Sequence, residues 1–501
     1  MRSDHERCGS YRRPATQAPR ILGRRRASGS RSHVHLSGRT LHAVGDPVVH
    51  ASRRSKRRQG QRRRIYPRVG SVGGRACEAA STWHRLESPG AEATLKGPLT
   101  GLRIVDFTWV VAGPFCTKTF ADMGAEVIKI EARNRPDGMR GYVNRYTALE
   151  NPFPYGSFDM FNRNKMGITV NSRHPEGLAL LKDLIGVGDV VAENFRGGVL
   201  ERWGLTYDVM RAARADVIYM SLSGYGQSGP YSSYASHFHM AQALPGFTHL
   251  TGYEGDVPVA TGSWGDTTAG LHAAVALSAA LEHRNRTGAG QHIDVTQLTA
   301  MASVMGTAYL EYTANGAEAG PGGNVLPHTS SFVEGAFRCQ GEERWVAIGV
   351  HTEDEWRALC GAIGASSLIT DPRFAAASDR IGNRSALEDV VERWTLQRTA
   401  EAAMATLQDA GIEAAVVENI QDMMERDEQL AHRGYYVDAK HPDESVGTLR
   451  MDGVVPKFSD TPGEVWRAAP TIGEHNEYVF GELLGLSTKR VSELQEAGVF
   501  F

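Results

Sequence analysis

Cysteine is scarce in this 501-residue chain. The five present, Cys8, Cys77, Cys116, Cys339 and Cys360, are scattered, odd in number and form no CxxC pair. That argues against a disulfide framework and a structural zinc site, and for a reducing compartment. Long apolar runs are missing too: no stretch of about eighteen apolar residues would span a bilayer, and no secretory core precedes a cleavage site. The expectation is a cytoplasmic protein, neither exported nor membrane-bound. No Walker loop, HExxH, GxSxG or kinase motif set occurs, which removes the usual phosphate-cradle, zinc-protease and serine-triad readings. The glycine-rich GYGQSGP (224–230) follows a strand but has neither the P-loop spacing nor its lysine, and reads as a turn.

A large net charge is also absent, at −2, but this conceals two unlike parts. Residues 1–95 carry twenty Arg and one Lys against six acids, so the remainder has an excess of about seventeen negative charges. The basic head, with GRRRASGSR and SRRSKRRQGQRRR, has few apolar residues to bury against its chain entropy and is expected to be disordered. Its Arg and Ser content is compatible with a transit peptide or a nucleic-acid arm. The reading adopted is an extension without function of its own, because nothing in the acidic body looks built for nucleic acid.

From Gly97 onward, short apolar strands alternate with helices. LRIVDF, EVIKIEA, GITVN, DVVAENF and DVIYMSLSGYG read as strands. CTKTFADMGA, HPEGLALLKDLIGVG and GGVLERWGL read as the helices between them. That alternation predicts an α/β fold with a mostly parallel sheet, whose ligands gather at the carboxyl ends of the strands. TAGLHAAVALSAALEH (268–283) and LTAMASVMGTAYLEYTANG (298–316) are expected to be two long helices flanking the strand HIDVTQ. Beyond Gly320 the character changes: GAFRCQGEERWVAIGV reads as a hairpin turning at Gly341, followed by helices. The expected division is 1–96 basic extension, 97–329 large α/β domain, 330–425 smaller α+β domain, and 426–501 a segment returning to the large domain.

The chemistry concentrates in SWGDTTAGLH (263–272), where Asp266 precedes a long helix. Asp favours the N-cap position. It is equally a carboxylate that a helix start would keep ionised, and carboxylates serve as covalent nucleophiles. Spacing alone leaves both readings open.

Over about 400 residues the chain resembles the class III CoA-transferase family, of the formyl-CoA and crotonobetainyl-CoA:carnitine type. Matching stretches occur in order: GLRIVDFTWVVAGPFCTKTFADMGAEVIKIE, FNRNKMGITVNSRHPEG, DVVAENFRGGVLERWGL, SLSGYGQSGP, MAQALPGF, GSWGDTTAGLHAAVALSAALEHRNRTGAGQHIDV and RWVAIGV. The resemblance implies a Rossmann-like CoA-binding large domain and an interlocked homodimer. It implies acyl-CoA:carboxylate CoA transfer with Asp266 as the nucleophile, through aspartyl anhydride and aspartyl-CoA thioester. Coenzyme A is then a substrate, and neither a permanently bound cofactor nor a metal is called for. The positions implied to touch CoA are Val110, Ala112, Asn194, Phe195 and Arg202, with Arg133 and Arg140 near the phosphates. GPGGN (320–324) resembles a mobile glycine loop, which makes Gly322 and Gly323 candidates for backbone oxyanion support.

Two departures stand out. Val111 replaces a catalytic Gln of the formyl-CoA transferases, which argues against oxalate as acceptor, and His237-Phe238 replaces an aromatic–acidic pair. The α-methylacyl-CoA racemases share this fold, and their His/Asp pair would fall on His237 and Asp266. There, however, Phe238 stands in place of an Asp and Thr352 in place of a supporting Glu. A racemase is therefore the alternative, and a non-catalytic CoA-binding subunit a further one. Trp109, Phe238 and Trp264 lead to the expectation of a roomy, apolar acyl pocket.

Overall fold

The computed structural model describes residues 97–141, 156–259, 261–324 and 332–500. The basic extension lies outside them. The described chain is built on a six-stranded sheet of β1 (Arg103–Asp106), β2 (Glu126–Glu131), β3 (Met166–Thr169), β4 (Val190–Glu193), β5 (Ile218–Ser223) and β6 (His292–Thr296). Every pairing is parallel, and the strand order is β3-β2-β1-β4-β5-β6. The central strands are short and buried on both faces, as expected when helices cover both sides of a parallel sheet. The order reverses between β1 and β4, and a crevice opens outside the carboxyl ends at such a switch point.

Four helices position the site. They are α1 (Ala112–Asp122), α2 (Pro175–Val187), α3 (Phe238–Ala243) and the 24-residue α4 (Trp264–Thr287). α2 starts as its sequence predicts, with Pro175 at the first helical position and the His174 ring accepting from the Glu176 N–H. α4 ends at Gly288, whose φ of +73° is a left-handed C-cap conformation. Gly270 sets how α4 meets α1. A Cβ there would stand 2.8 Å from the Ala112 carbonyl oxygen and 3.1 Å from the Phe115 ring. Only glycine allows this approach, and Asp266, four residues earlier, lies on the same helix face. The close contact therefore delivers Asp266 to the loop between β1 and α1.

Two expectations about helices are corrected. α4 begins at Trp264, not Thr268, so Asp266 is its third residue and Ser263 occupies the cap position. The segment expected as one long helix after β6 is α5 (Gln297–Ser303), a break at Val304–Met305, a five-residue α-helix Gly306–Leu310, and a π-helix Glu311–Asn315. The small-residue composition that favoured a helix there does not supply a continuous buried face to hold it.

The GAFRCQGEERWVAIGV hairpin is β7 (Val333–Arg338) against β8 (Trp345–Val350), with β9 (Glu413–Val416) pairing antiparallel on the other side of β8. With the helices between β8 and β9 it encloses an apolar core of its own, including Trp356, Leu387 and Leu407. The final helix, Thr488–Glu496, contributes Leu494 to the core of the parallel sheet, joined there by Val479, Phe480 and Phe500.

Candidate active site

The loop after β1 is pinned by buried charge. Asp106, the last residue of β1, is fully buried and accepts from Lys165 Nζ at 3.0 Å and Thr117 Oγ1 at 2.9 Å. Burial pushes its carboxyl upward, but Lys165 and Lys129 outweigh burial and hold it below the usual value. Lys129 Nζ donates to the Thr108 carbonyl at 2.7 Å and to Asp137 at 2.9 Å. Asp137 in turn accepts the Val110 N–H at 3.2 Å. Asn194, at the end of β4, grips the backbone of Trp109 from both sides: its Oδ1 accepts from Trp109 N at 2.6 Å and its Nδ2 donates to Trp109 O at 2.8 Å. Held this way, Val110 adopts φ of +66°, a strained conformation for a β-branched residue.

Asp266 is 8% exposed and opens into a cavity of about 630 Å³. Val110, Ala112, Asn194 and His237, all predicted positions, line the same cavity, as do Val111 and Phe238. Asp266 caps nothing: no side-chain cap bond forms at the start of α4. Its Oδ1 instead accepts from Gln297 Nε2, and its Oδ2 has no protein partner among the described residues. Burial raises the carboxyl to about 6, against the pull of Gln297 and His237. The helix start does not lower the carboxyl, because desolvation dominates and raises it, though at neutral pH the group stays mainly ionised.

A second cavity, of about 650 Å³, lies at the ends of β1 to β4. Phe195 and Arg202 line it, and Arg135, Arg173 and Arg196 besides; Arg196 lines both cavities. Trp109 and Phe195 meet edge to face, with centroids 5.9 Å apart. Four predicted positions fall elsewhere. Arg133 is exposed and lines neither cavity. Arg140 is buried against Glu131 at 2.7 Å and stacks over the Phe158 ring at 3.6 Å, so its charge is already neutralised within the fold. Gly322 and Gly323 line a separate cavity of about 320 Å³ with Tyr253, where Gly323 N donates to Gly252 O at 2.9 Å. That anchorage keeps them apart from Asp266. Thr352 forms a capping box with Glu355 on a helix of the smaller sheet and also lies outside the Asp266 cavity.

The sequence reading missed Gln297 and the arginines at 135, 173 and 196. Their signal was position: each follows a strand end of the parallel sheet, where ligand contacts concentrate.

CoA-transferase family III matches residues 99–476. The chain belongs to this family. It is 34% identical over 400 residues, 79% of this chain and 97% of the relative, to the succinyl-CoA–D-citramalate CoA-transferase of Chloroflexus aurantiacus. It is 30% identical to the formyl-CoA:oxalate CoA-transferase of a Bradyrhizobium species, over 80% of this chain and 96% of the relative. A crystal structure of a CaiB/BaiF family protein from Brucella suis superposes with a TM-score of 0.70 at 30% identity, covering 77% of this chain and all of that one. As a family III CoA-transferase the chain is a transferase acting on CoA thioesters, and its parallel-sheet α/β architecture agrees with that neighbour.

A nucleophilic Asp266 must be ionised. Activity is therefore expected to fall as pH drops through about 6 and to level off above it. The pH profile of kcat/KM for the acyl-CoA donor measures this, because it reports groups of the free enzyme, and a flat profile between pH 5 and 8 would contradict it.

Proposed function

We propose that this chain transfers CoA from an acyl-CoA donor to a carboxylic acid acceptor, with Asp266 as covalent nucleophile and aspartyl anhydride and aspartyl-CoA thioester as intermediates. One observation carries the reading: Asp266 is anchored through one carboxylate oxygen while the other faces a cavity at the carboxyl edge of the sheet. Every nucleophile and leaving group in such a cycle is an anion, carboxylate or thiolate, so no general acid or base is required. Burial leaves the Asp266 anion poorly solvated, which favours attack.

In this reading the nucleotide of CoA lies along the second cavity, with its phosphates met by Arg135, Arg173, Arg196 or Arg202. The pantetheine arm then passes the Trp109–Val110 loop to reach Asp266. Met139, Phe161, Leu222, Tyr225, Tyr234 and Phe238 make the first cavity largely apolar, which favours an acyl group larger than oxalate. The chain is proposed to work as the interlocked homodimer that the family resemblance implies. Exposed apolar side chains on α4 (Leu271, Val275) and beyond α5 (Leu310, Tyr312) support a large interface there.

His237 shares the cavity with Asp266 and bears on its charge, which keeps racemisation as a second reading. Hydroxylamine added during turnover is expected to convert Asp266 to its hydroxamate, located by peptide mass spectrometry. An unmodified Asp266, with α-deuterium entering acyl-CoA from heavy water without any acceptor acid, would assign the racemase instead. Neither label, with CoA still bound, would leave a silent binding subunit.

A further inference from the structure

α5 begins directly where β6 ends, and its first residue is Gln297. The Gln297 side chain is buried, crosses to α4 and donates from Nε2 to Oδ1 of Asp266. Val111, lining the same cavity, offers no side-chain donor. The contact distinguishes two otherwise equivalent oxygens, since Oδ1 is held and Oδ2 is free to attack.

Resting on the Asp266 reading above, we propose that Gln297 is itself catalytic: its amide N–H is the oxyanion donor for the Asp266 carbonyl each time the aspartyl-CoA thioester is made or broken. In the first displacement Oδ2 bonds to the thioester carbon, the C–S bond breaks and sulfur leaves as CoA thiolate. Oδ2 becomes the bridging oxygen of the anhydride, and Oδ1 the carbonyl oxygen of its aspartyl half. The thiolate then bonds to Cγ of Asp266 and drives the carbonyl electron pair onto Oδ1, the atom facing Gln297 Nε2. Collapse breaks the Cγ–Oδ2 bond and releases the donor's acid as its carboxylate. When the acceptor carboxylate attacks the same Cγ, charge returns to Oδ1 before the C–S bond breaks. In the fourth displacement the thiolate attacks the acceptor's acyl carbon and frees Asp266 as a carboxylate.

Two of the four displacements therefore pass through an oxyanion on Oδ1, where a full charge develops in place of the shared half-charge of a carboxylate. A donor fixed before that charge arrives requires no reorganisation as the reaction proceeds. The same bond supports the resting anion against burial. The other ionisable side chains lining this cavity are Arg196, Tyr225, Tyr234 and His237.

Gln297→Leu removes the donor while filling similar volume, and is expected to lower kcat by about 10²–10³-fold, the usual effect of deleting one oxyanion donor. A second readout identifies the step. With donor acyl-CoA alone and a thiol-reactive chromophore, wild-type protein recaptures the thiolate as thioester and shows little free thiol. The leucine variant is expected to release a thiol burst approaching one per site, and its quenched mass should carry the acyl group in place of CoA. Gln297→Glu supplies a donor only while protonated, so its activity is expected to exceed that of the leucine variant at low pH and to decline as pH rises, opposite to wild type. A leucine variant within about threefold of wild type, or one slowed with no thiol burst, overturns the proposal. If the leucine variant does not fold, a glutamate variant with the wild-type pH profile overturns it equally. A wild-type protein that forms no adduct on Asp266 refutes the nucleophile itself, a separate outcome from failure at Gln297.

Discussion

Asp266→Asn is expected to abolish turnover, by a factor on the order of 10⁴–10⁶, as loss of a covalent nucleophile does elsewhere. The amide keeps the shape of the carboxylate, and its Oδ1 still accepts from Gln297 Nε2. CoA affinity should therefore stay close to wild type, and isothermal titration with CoA measures it beside the assay. Stability separates this outcome from the loss of a helix cap. Removing a capping Asp costs about 1 kcal/mol. Here the folded state raises the carboxyl from 3.8 to about 6, so it binds the proton more tightly than the unfolded chain does. The stability this lends is full below about pH 4 and is lost as pH climbs through 6. At neutral pH the buried anion weighs against folding, and the neutral amide relieves it. The asparagine variant is expected to unfold at the same or a higher temperature than wild type at pH 7.5, and at a similar one at pH 4.5. A dead variant that is also clearly less stable at pH 7.5 would return Asp266 to a structural role.

The second large effect is on stability. Lys165→Met is expected to cost about 3–5 kcal/mol, the range for removing one partner of a buried ion pair. The Lys165 and Asp106 side chains are both fully buried, and Lys165 Nζ also donates to Thr117 Oγ1 at 2.8 Å and Asn162 Oδ1 at 3.0 Å. Methionine fills the volume but leaves the Asp106 charge without its nearest cation. The effect should reach the Asp266 cavity, because Asp106 also accepts the Thr108 N–H at 2.9 Å at the head of the loop between β1 and α1. Urea unfolding measures the loss as a lower midpoint with unchanged slope. The double variant Asp106→Leu/Lys165→Met should recover much of it, since a buried pair replaced as a unit leaves no orphaned charge. A single variant within about 1 kcal/mol of wild type would mean that Lys129 alone neutralises Asp106.

The contrast between these residues shows what was legible beforehand. Asp266 stood out because a carboxylate beside glycines at a helix start is a local pattern, readable within ten residues. Lys165 and Asp106, 59 positions apart, carry no such mark. Each looks like an ordinary charge in its own segment, and only the folded sheet buries them together. The arginines divide the same way. Arg133, Arg135 and Arg140 are near neighbours in sequence, yet one lines neither cavity, one lines the second cavity and one is locked to Glu131. A shift of two residues in a loop changes the direction of a side chain, and no periodicity governs a loop.

By itself the sequence determined the alternation of strands and helices and the parallel sheet, because both are encoded in short-range apolar periodicity and composition; Asp266 came forward as the candidate nucleophile through the family resemblance. The folded structure decided that Asp266 is the third residue of its helix and not the cap, that its proton is held more tightly than helix geometry alone would dictate, and that Gln297 is its partner. Those facts depend on how closely α4 meets α1 at Gly270 and on β6 lying beside β5. Such distances are fixed by packing among segments far apart in the chain, and no stretch of residues specifies them alone.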